Sequence, residues 1–319
     1  MRAYLLRRLA LVLPTLLLAS LTVFVIMRAL PGDVTSAMLG GEGEALRPEL
    51  VAALRAELGL EAPLPVQYGR WLWSMVNGEF GGRSLLTREP LREIVARGLP
   101  VTMLLGLYAV VLALVVAVPL GAVAAARRGG AVDLLLRSLG VLGSALPGFW
   151  VALLGLLLVV LVLDWSPPLI YAQLWQRPLE HLEMMAIPAL VLAWELGGQL
   201  LRTTRGELLE HLRQDHVRTA VGKGIGPAAV VLRHALRTAA IPIVTVAGLN
   251  LGALLGGAVI LEFIFGLPGA GRALVQAVLA RDYPVVQSLT LLFVTLLLLL
   301  NLLIDLLYAV LDPRIGHGA

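Results

Sequence analysis

The residues best equipped for chemistry or for gripping a partner are concentrated in one stretch, DHVRTAVGKGIGPAAVVLRHALR, at positions 215–237. Arg218, Lys223, Arg233 and Arg237 supply positive charge there, and His216 and His234 add titratable rings. The run GKGIGP contains a lysine among glycines, as a phosphate loop does. It lacks that loop's Gly-x-x-x-x-Gly-Lys spacing and the terminal hydroxyl residue that holds Mg²⁺. The chain itself is therefore not expected to bind or hydrolyse ATP. Thiol chemistry is excluded because there is no cysteine. Ser144 has no histidine within the apolar runs to serve as its base. His181 and Glu183 cannot make a metal site by themselves and are expected on a solvated surface.

The elements that must position the basic stretch are greasy. The chain is 59% hydrophobic and only 14% charged. Leu9–Met27, Val101–Ala126, Ser138–Leu163, Thr238–Leu261 and Tyr283–Ile304 carry no charge beyond an occasional flanking group. Met184–Leu201 carries one acid, Glu195. About 20 apolar residues span a hydrocarbon core of about 30 Å. The predicted fold is all-α, a polytopic membrane protein with six transmembrane helices. The first run is too long for the apolar region of a signal peptide and no small-x-small site follows it, so it is expected to remain as a helix. Pro147-Gly148 interrupts the third span. Gly248, Gly252, Gly256 and Gly257 line the fifth, where small residues allow close helix approach or a pathway lining.

Charge placement sets the orientation. With the amino terminus inside, the inner segments carry Arg2, Arg7 and Arg8, then Arg127, Arg128 and Arg137, then the basic residues from Arg202 to Arg237, then Arg314. The short outer loops carry only Arg177, Arg272 and Arg281, so both termini are expected in the cytoplasm. The organisation is a first span over 1–30, an extracytoplasmic loop over 31–98, and a core over 99–319 that includes a cytoplasmic hairpin at 206–237. Within the loop, RPELVAALRAELGL reads as an amphipathic helix, and Tyr68, Trp71 and Trp73 suit a membrane-interface belt. This segment is expected to form a small cap, with too few apolar residues for a core of its own.

In the hairpin, a helix from about Gly206 to Val221 is broken by GKG, and Pro227 restarts one, as proline does at a first helical position. Ala228, Val231, Leu232 and Ala235 fall on one apolar stripe, with Arg233, His234 and Arg237 largely off it. A nucleic-acid reader would need a longer basic surface. Two readings remain open on spacing: a loop that merely obeys the positive-inside rule, or a short helix that seats in a partner's groove.

A resemblance bears on that choice. VRTAVGKGIGPAAVVLRHALRTAAIPIVT resembles the EAA loop of ATP-binding-cassette (ABC) importer permeases, in particular the peptide/nickel branch of dipeptide and oligopeptide permeases. LLRRLALVLPTLLLASLTVFVIMRALPGD, LGLEAPLPVQYGRWLWSMVNGEFGGR, FIFGLPGAGRALVQAVLARDYPVVQSLTLL and the ending DLLYAVLDPRI are similar to the same branch, in order and over nearly the whole chain. The long outer loop resembles that of the first of two paired permeases. The resemblance implies a type I importer permease fold, a heterodimeric second permease, two ATPase subunits carrying ATP and Mg²⁺, and an extracytoplasmic substrate-binding protein. The chain itself would bind no cofactor, metal or nucleic acid, and would sit in a bacterial or archaeal plasma membrane.

Carried over by position, Arg218, Thr219 and Ala220 take the EAA places and Gly224 the glycine. Arg218 replaces the general family's glutamate, and His234, Leu236 and Arg237 stand where the general pattern has Ile, Leu and Pro. Gly222 and Gly224 would allow a sharp turn, with Arg218, Arg233, His234 and Arg237 meeting the ATPase. Outside the hairpin, Glu195, Asn250 and Pro147 are candidates for the pathway or a subunit interface, since an acid within a span is costly unless it faces a cavity or a partner. For Glu195 the plainer alternative is a place near the inner end, in water beside Arg202. The competing class is an ion-gradient-driven transporter, which would want acids in several spans and an inverted repeat; neither is evident.

Overall fold

The structure, a computed structural model, describes residues 2–29, 61–166, 168 and 170–311. The amphipathic helix expected at 47–60 and the chain's last residues lie outside these. The described residues form helices α1 (Arg2–Ala29), α2 (Leu64–Val76), α3 (Leu91–Ala126), α4 (Ala131–Ala145), α5 (Gly148–Leu163), α6 (Pro178–His211), α7 (Asp215–Gly222), α8 (Pro227–Leu249), α9 (Leu251–Ile264), α10 (Ala270–Leu279) and α11 (Tyr283–Leu311). The only β-pairing among them is an isolated bridge between Arg83 and Pro90. The protein is an all-α polytopic membrane protein. Five helices are long and apolar enough to cross a bilayer, namely Ala10–Ala29 of α1, then α3, α6, α8, and Tyr283–Leu306 of α11.

The third expected span is the broken one. α4 and α5 meet at a 106° bend, at Leu146-Pro147, where proline withholds the N–H that would continue the ladder. Two other expectations shift. α3 begins at Leu91 rather than Val101. Its extra turns escaped a search for uncharged runs because Arg92, Glu93 and Arg97 lie on one face while Leu91, Ile94 and Val95 are buried on the other. The fifth span, expected over Thr238–Leu261, is instead α8, which starts at Pro227 and closes at Leu249. Asn250 ends it by donating its side-chain amide to the Val246 carbonyl at 2.7 Å, the local competition with the backbone that short amides make.

The chain divides into two compact units. One comprises residues 1–5, 103–267 and 299–319. Its hub is α6, on which α4, α5, α8 and α9 all pack. The α4–α6 crossing brings backbone against backbone: a Cβ on Gly198 would lie 2.8 Å from the Gly140 carbonyl oxygen and 3.0 Å from the Gly143 Cα. Small residues at such a crossing let two helices approach closely, with dispersion and polar contacts replacing a hydrophobic drive that lipid does not supply. Polar clamps flank it. Arg202 donates to the Gly140 carbonyl at 2.8 Å and to the Ser144 hydroxyl at 2.7 Å. Arg205 meets the buried Asp133 carboxylate in a fork, at 2.6 and 2.9 Å, while the Gly129 N–H donates to the same carboxylate at 2.9 Å. Of the fifth-span glycines, Gly248 lies against Ile304 and Gly257 against Leu192, whereas Gly256 has open space.

The other unit comprises residues 6–102 and 268–298. Leu91, Ile94 and Val95 pack with Ala270, Ala277, Val285 and Leu289 in its core. Buried Asp282 accepts from the Ser84 hydroxyl and from the Leu85 N–H at 3.2 Å, pinning the loop before α3. Tyr68 and Trp71 of α2 pack against Phe24, Tyr68 edge-on, and the Tyr68 hydroxyl bonds Ser20 at 2.8 Å. Trp73 is exposed, as a belt residue would be.

Replacing Gly198 with valine forces α4 and α6 apart at a place with no flexible side chain to give way. The expected cost is about 1–3 kcal/mol, read as a lowered thermal unfolding midpoint of the purified complex, whereas Gly256→Ala should leave that midpoint unchanged.

Candidate functional site

The basic hairpin is built by α7, a four-residue turn and the start of α8. Val217 and Ala220 of α7 are buried with Val230 of α8, and Leu212 and Ile225 close the cluster. The turn has a defined chemistry. Gly224 has φ +78°, its N–H donates to the Val221 carbonyl at 2.9 Å, and the Ile225 N–H reaches back to the Ala220 carbonyl at 3.2 Å. Those two bonds, with Ile225 packed near Ala220, form a Schellman cap, which needs a residue able to adopt the left-handed conformation. GKGIGP is thus a helix terminator. Gly222 is not required in the same way: it is an ordinary end of α7, with open space around its Cα.

The expected apolar stripe on the second half is corrected. Leu232 is 63% exposed, and the buried positions are Val230 and Ala235. Val230–Ala235 is a π-helical turn, in which residues five apart share a face, so a stripe read at 3.6 residues per turn picks the wrong members. Such turns are rare and concentrate at functional places.

Arg218, Thr219, Arg233 and Arg237 are exposed, Ala220 is buried in the hairpin core, and His234 is half-buried. Thr219 donates to the Asp215 carbonyl at 2.9 Å, and Arg218 approaches the Asp215 carboxylate only loosely, at 3.8 Å. Val221 is exposed as well, at 58%. The hairpin is therefore folded internally while presenting Val221 and Leu232 among guanidinium groups, a surface that a polar rim and an apolar-floored groove would complement.

The three candidates outside the hairpin come together at the α4–α5 bend. Glu195 and Asn250 line one cavity of about 100 Å³ with Ser144, Leu196, Gln199, Ala253 and Leu254. Pro147 opens α5, and the Glu195 carboxylate lies against the next residue, 2.9 Å from where a Cβ on Gly148 would stand. Glu195 is exposed at the middle of α6, and Arg202 is engaged with Gly140 and Ser144 rather than with it. A larger groove of about 160 Å³ between α3, α4 and α6 is lined almost wholly by apolar side chains and offers nothing to orient a polar ligand.

Sequence reasoning missed several of these partners. Gln199 gave no signal. The Asp133–Arg205 fork was foreshadowed only by a lone acid ahead of an apolar run. His181 is corrected outright: it is fully buried, with Nδ1 2.9 Å from the Ala172 carbonyl and Nε2 3.1 Å from the Tyr108 hydroxyl. The carbonyl can only accept, so Nδ1 carries the proton and the Tyr108 hydroxyl donates to Nε2. Glu183 is exposed and accepts from the Trp165 ring N–H at 2.7 Å.

Gly224→Val should strain the cap by about 1–3 kcal/mol and speed tryptic cleavage after Arg218 and Lys223. Gly222→Ala, in open space within a helix, should slow cleavage or leave it unchanged. Equal effects of the two would contradict the assignment of the turn.

The description "Binding-protein-dependent transport system inner membrane component" matches residues 117–317, and its N-terminal counterpart matches residues 1–106. A protein of Brucella suis biovar 1 named as a peptide transport system permease is 41% identical over 317 residues, covering 99% of this chain and all of the relative. The dipeptide transport system permease protein DppB of Escherichia coli K12 is 38% identical over 340 aligned residues, 99% of each chain. A Sinorhizobium fredii protein named as a peptide ABC transporter permease is 34% identical, over 99% of this chain and all of the relative. The chain belongs to the family of binding-protein-dependent transport system inner membrane components and is a permease subunit of an ABC importer.

Proposed function

We propose that this permease serves peptide import, as the first of two paired permease subunits, with both termini and the 215–237 hairpin on the cytoplasmic face. The names of its relatives support the substrate class, and the placement of arginines supports the orientation. A second permease completes the pathway. Two ATPase subunits carry ATP and Mg²⁺ and seat the hairpin in their grooves, and a substrate-binding protein delivers cargo at the opposite face. The observation that carries the docking reading is the exposure of Val221 and Leu232 beside Arg218, Arg233 and Arg237 on a hairpin whose own core is already closed.

Nucleotide-driven closure of the ATPases then acts as a bias on a two-state transmembrane element. A push on α7 passes through Val217 and Ala220 to Val230 of α8, and through Leu212 to the end of α6. Asp133–Arg205 and Arg202–Gly140 make α4 follow α6, so the movement reaches the bend and its cavity.

The absence of cysteine in the chain gives a direct test. In the assembled importer, a photo-crosslinker on Val221→Cys or Leu232→Cys should capture the ATPase, and one on Trp165→Cys should not; the reverse pattern would overturn the orientation. Gly224→Asp should leave membrane insertion intact and abolish ATP-driven peptide uptake. Uptake that survives ATP depletion but collapses with the proton gradient would support the gradient-driven alternative instead.

A further inference from the structure

The cavity at the α4–α5 bend has an uneven supply of hydrogen-bonding groups. Asn250 gives one of its two amide N–H groups to the Val246 carbonyl, leaving its amide oxygen and the other N–H available. The Ser144 hydroxyl donates to the Gly140 carbonyl at 3.1 Å and accepts from Arg202. Gln199 contributes a whole amide, and Glu195 a carboxylate with no partner among the described residues. Arg202, which might have neutralised it, is held by Gly140 and Ser144. The cavity thus carries a negative charge and several acceptor oxygens at the middle of α6, where the Glu195 side chain is exposed and open to an incoming group. Three donors on one positive atom would satisfy Glu195, Asn250 and Gln199 together, which describes an ammonium group. A bare metal ion fits poorly. Hard divalent cations take several carboxylate or carbonyl oxygens, and no cluster of three metal-ligating side chains occurs among the described residues.

We propose that this cavity receives the α-ammonium group of a peptide in transit, with Glu195 as counter-ion and Asn250 and Gln199 as the flanking acceptors. The proposal rests on the peptide reading above. A space of about 100 Å³ accommodates the amino-terminal backbone of one residue and leaves the side chains outside, so recognition is of the terminus common to all free peptides and not of any sequence. The bend places the site where α4, α5, α6 and α9 meet, so a movement of α6 changes its shape.

The test uses the whole reconstituted importer with its binding protein, in liposomes, and compares ATP-driven uptake of Ala-Ala and N-acetyl-Ala-Ala by wild type, Glu195→Gln and Glu195→Asp. The binding protein's own preference is the same for all three, so the change in the ratio of the two uptake rates belongs to this chain. The expected result is a wild-type preference for the free amine that falls tenfold or more in Glu195→Gln and is largely retained in Glu195→Asp. Equal loss of both uptakes, no change in the ratio, or failure of Glu195→Gln to assemble with the second permease would overturn the subsite, the last by making the carboxylate a subunit contact. Each of those leaves peptide import standing. A wild-type importer that moves neither peptide overturns both.

Discussion

The transmembrane core of residues 103–267 depends on the backbone contact between α4 and α6. Gly140 and Gly143 on one side and Gly198 on the other bring the two helices to a distance at which no larger side chain fits. In lipid, burial of apolar surface contributes little to holding helices together, because the tails are as apolar as the side chains. Close packing and directed polar contacts must do that work. Arg202 can reach the Gly140 carbonyl only because the backbones are so near. Asp133 is buried to 2% exposure, and its ionised form is tolerable there because a bidentate guanidinium and a backbone N–H both face it. Removing one partner of such a pair leaves a buried charge uncompensated, so the fork fixes the register of α4 on α6 as well as the attraction between them.

From that contact the two functional regions acquire their relation. α6 runs from His181, locked between Tyr108 and Tyr171, through Glu195 at its centre, to its end at His211, where Leu212 packs into the hairpin cluster. It is the most buried of the candidate spans, with 61% of its most apolar window inside the protein against 33% or less for the others. A helix held on so many sides moves as a body, carrying α4 with it. The regular helical pattern is interrupted around it, at the Pro147 bend, at Asn250 and in the π-helical turn of α8.

Much of the helix content and the location of the 215–237 hairpin were legible in the sequence because long apolar runs and a Gly-Pro restart are strong local signals. Pro147 marked a real interruption for a reason contained in its own chemistry, whereas the break at Asn250, inside an unbroken apolar run, was not foreseen. What escaped was whatever depends on a neighbour distant in sequence. Leu91, Ile94 and Val95 read as the tail of a polar loop until α10 and α11 cover them. His181 reads as a surface residue until Ala172 and Tyr108 fold over it. The stripe in α8 failed for another reason. Periodicity assumes a fixed 3.6 residues per turn, and a π turn breaks that assumption at Val230–Ala235 without any residue announcing it.

The contrast between Asp133 and Glu195 separates architecture from function. Both are acids on membrane helices of the same unit, and both lie beside arginines in the sequence of contacts along α4 and α6. Asp133 has both carboxylate oxygens engaged, by three donors, and is buried, so it can only hold. Glu195 has an arginine two turns along its own helix that is directed elsewhere, and its carboxylate opens onto a cavity also lined by the Asn250 and Gln199 amides. A chain selected only to insert and pack would gain by pairing Arg202 with Glu195, or by replacing the acid with leucine. Under the proposal above, the positive charge that Arg202 does not give to Glu195 is brought by the ammonium group of a peptide in transit, and the exposed carboxylate is left open to receive it.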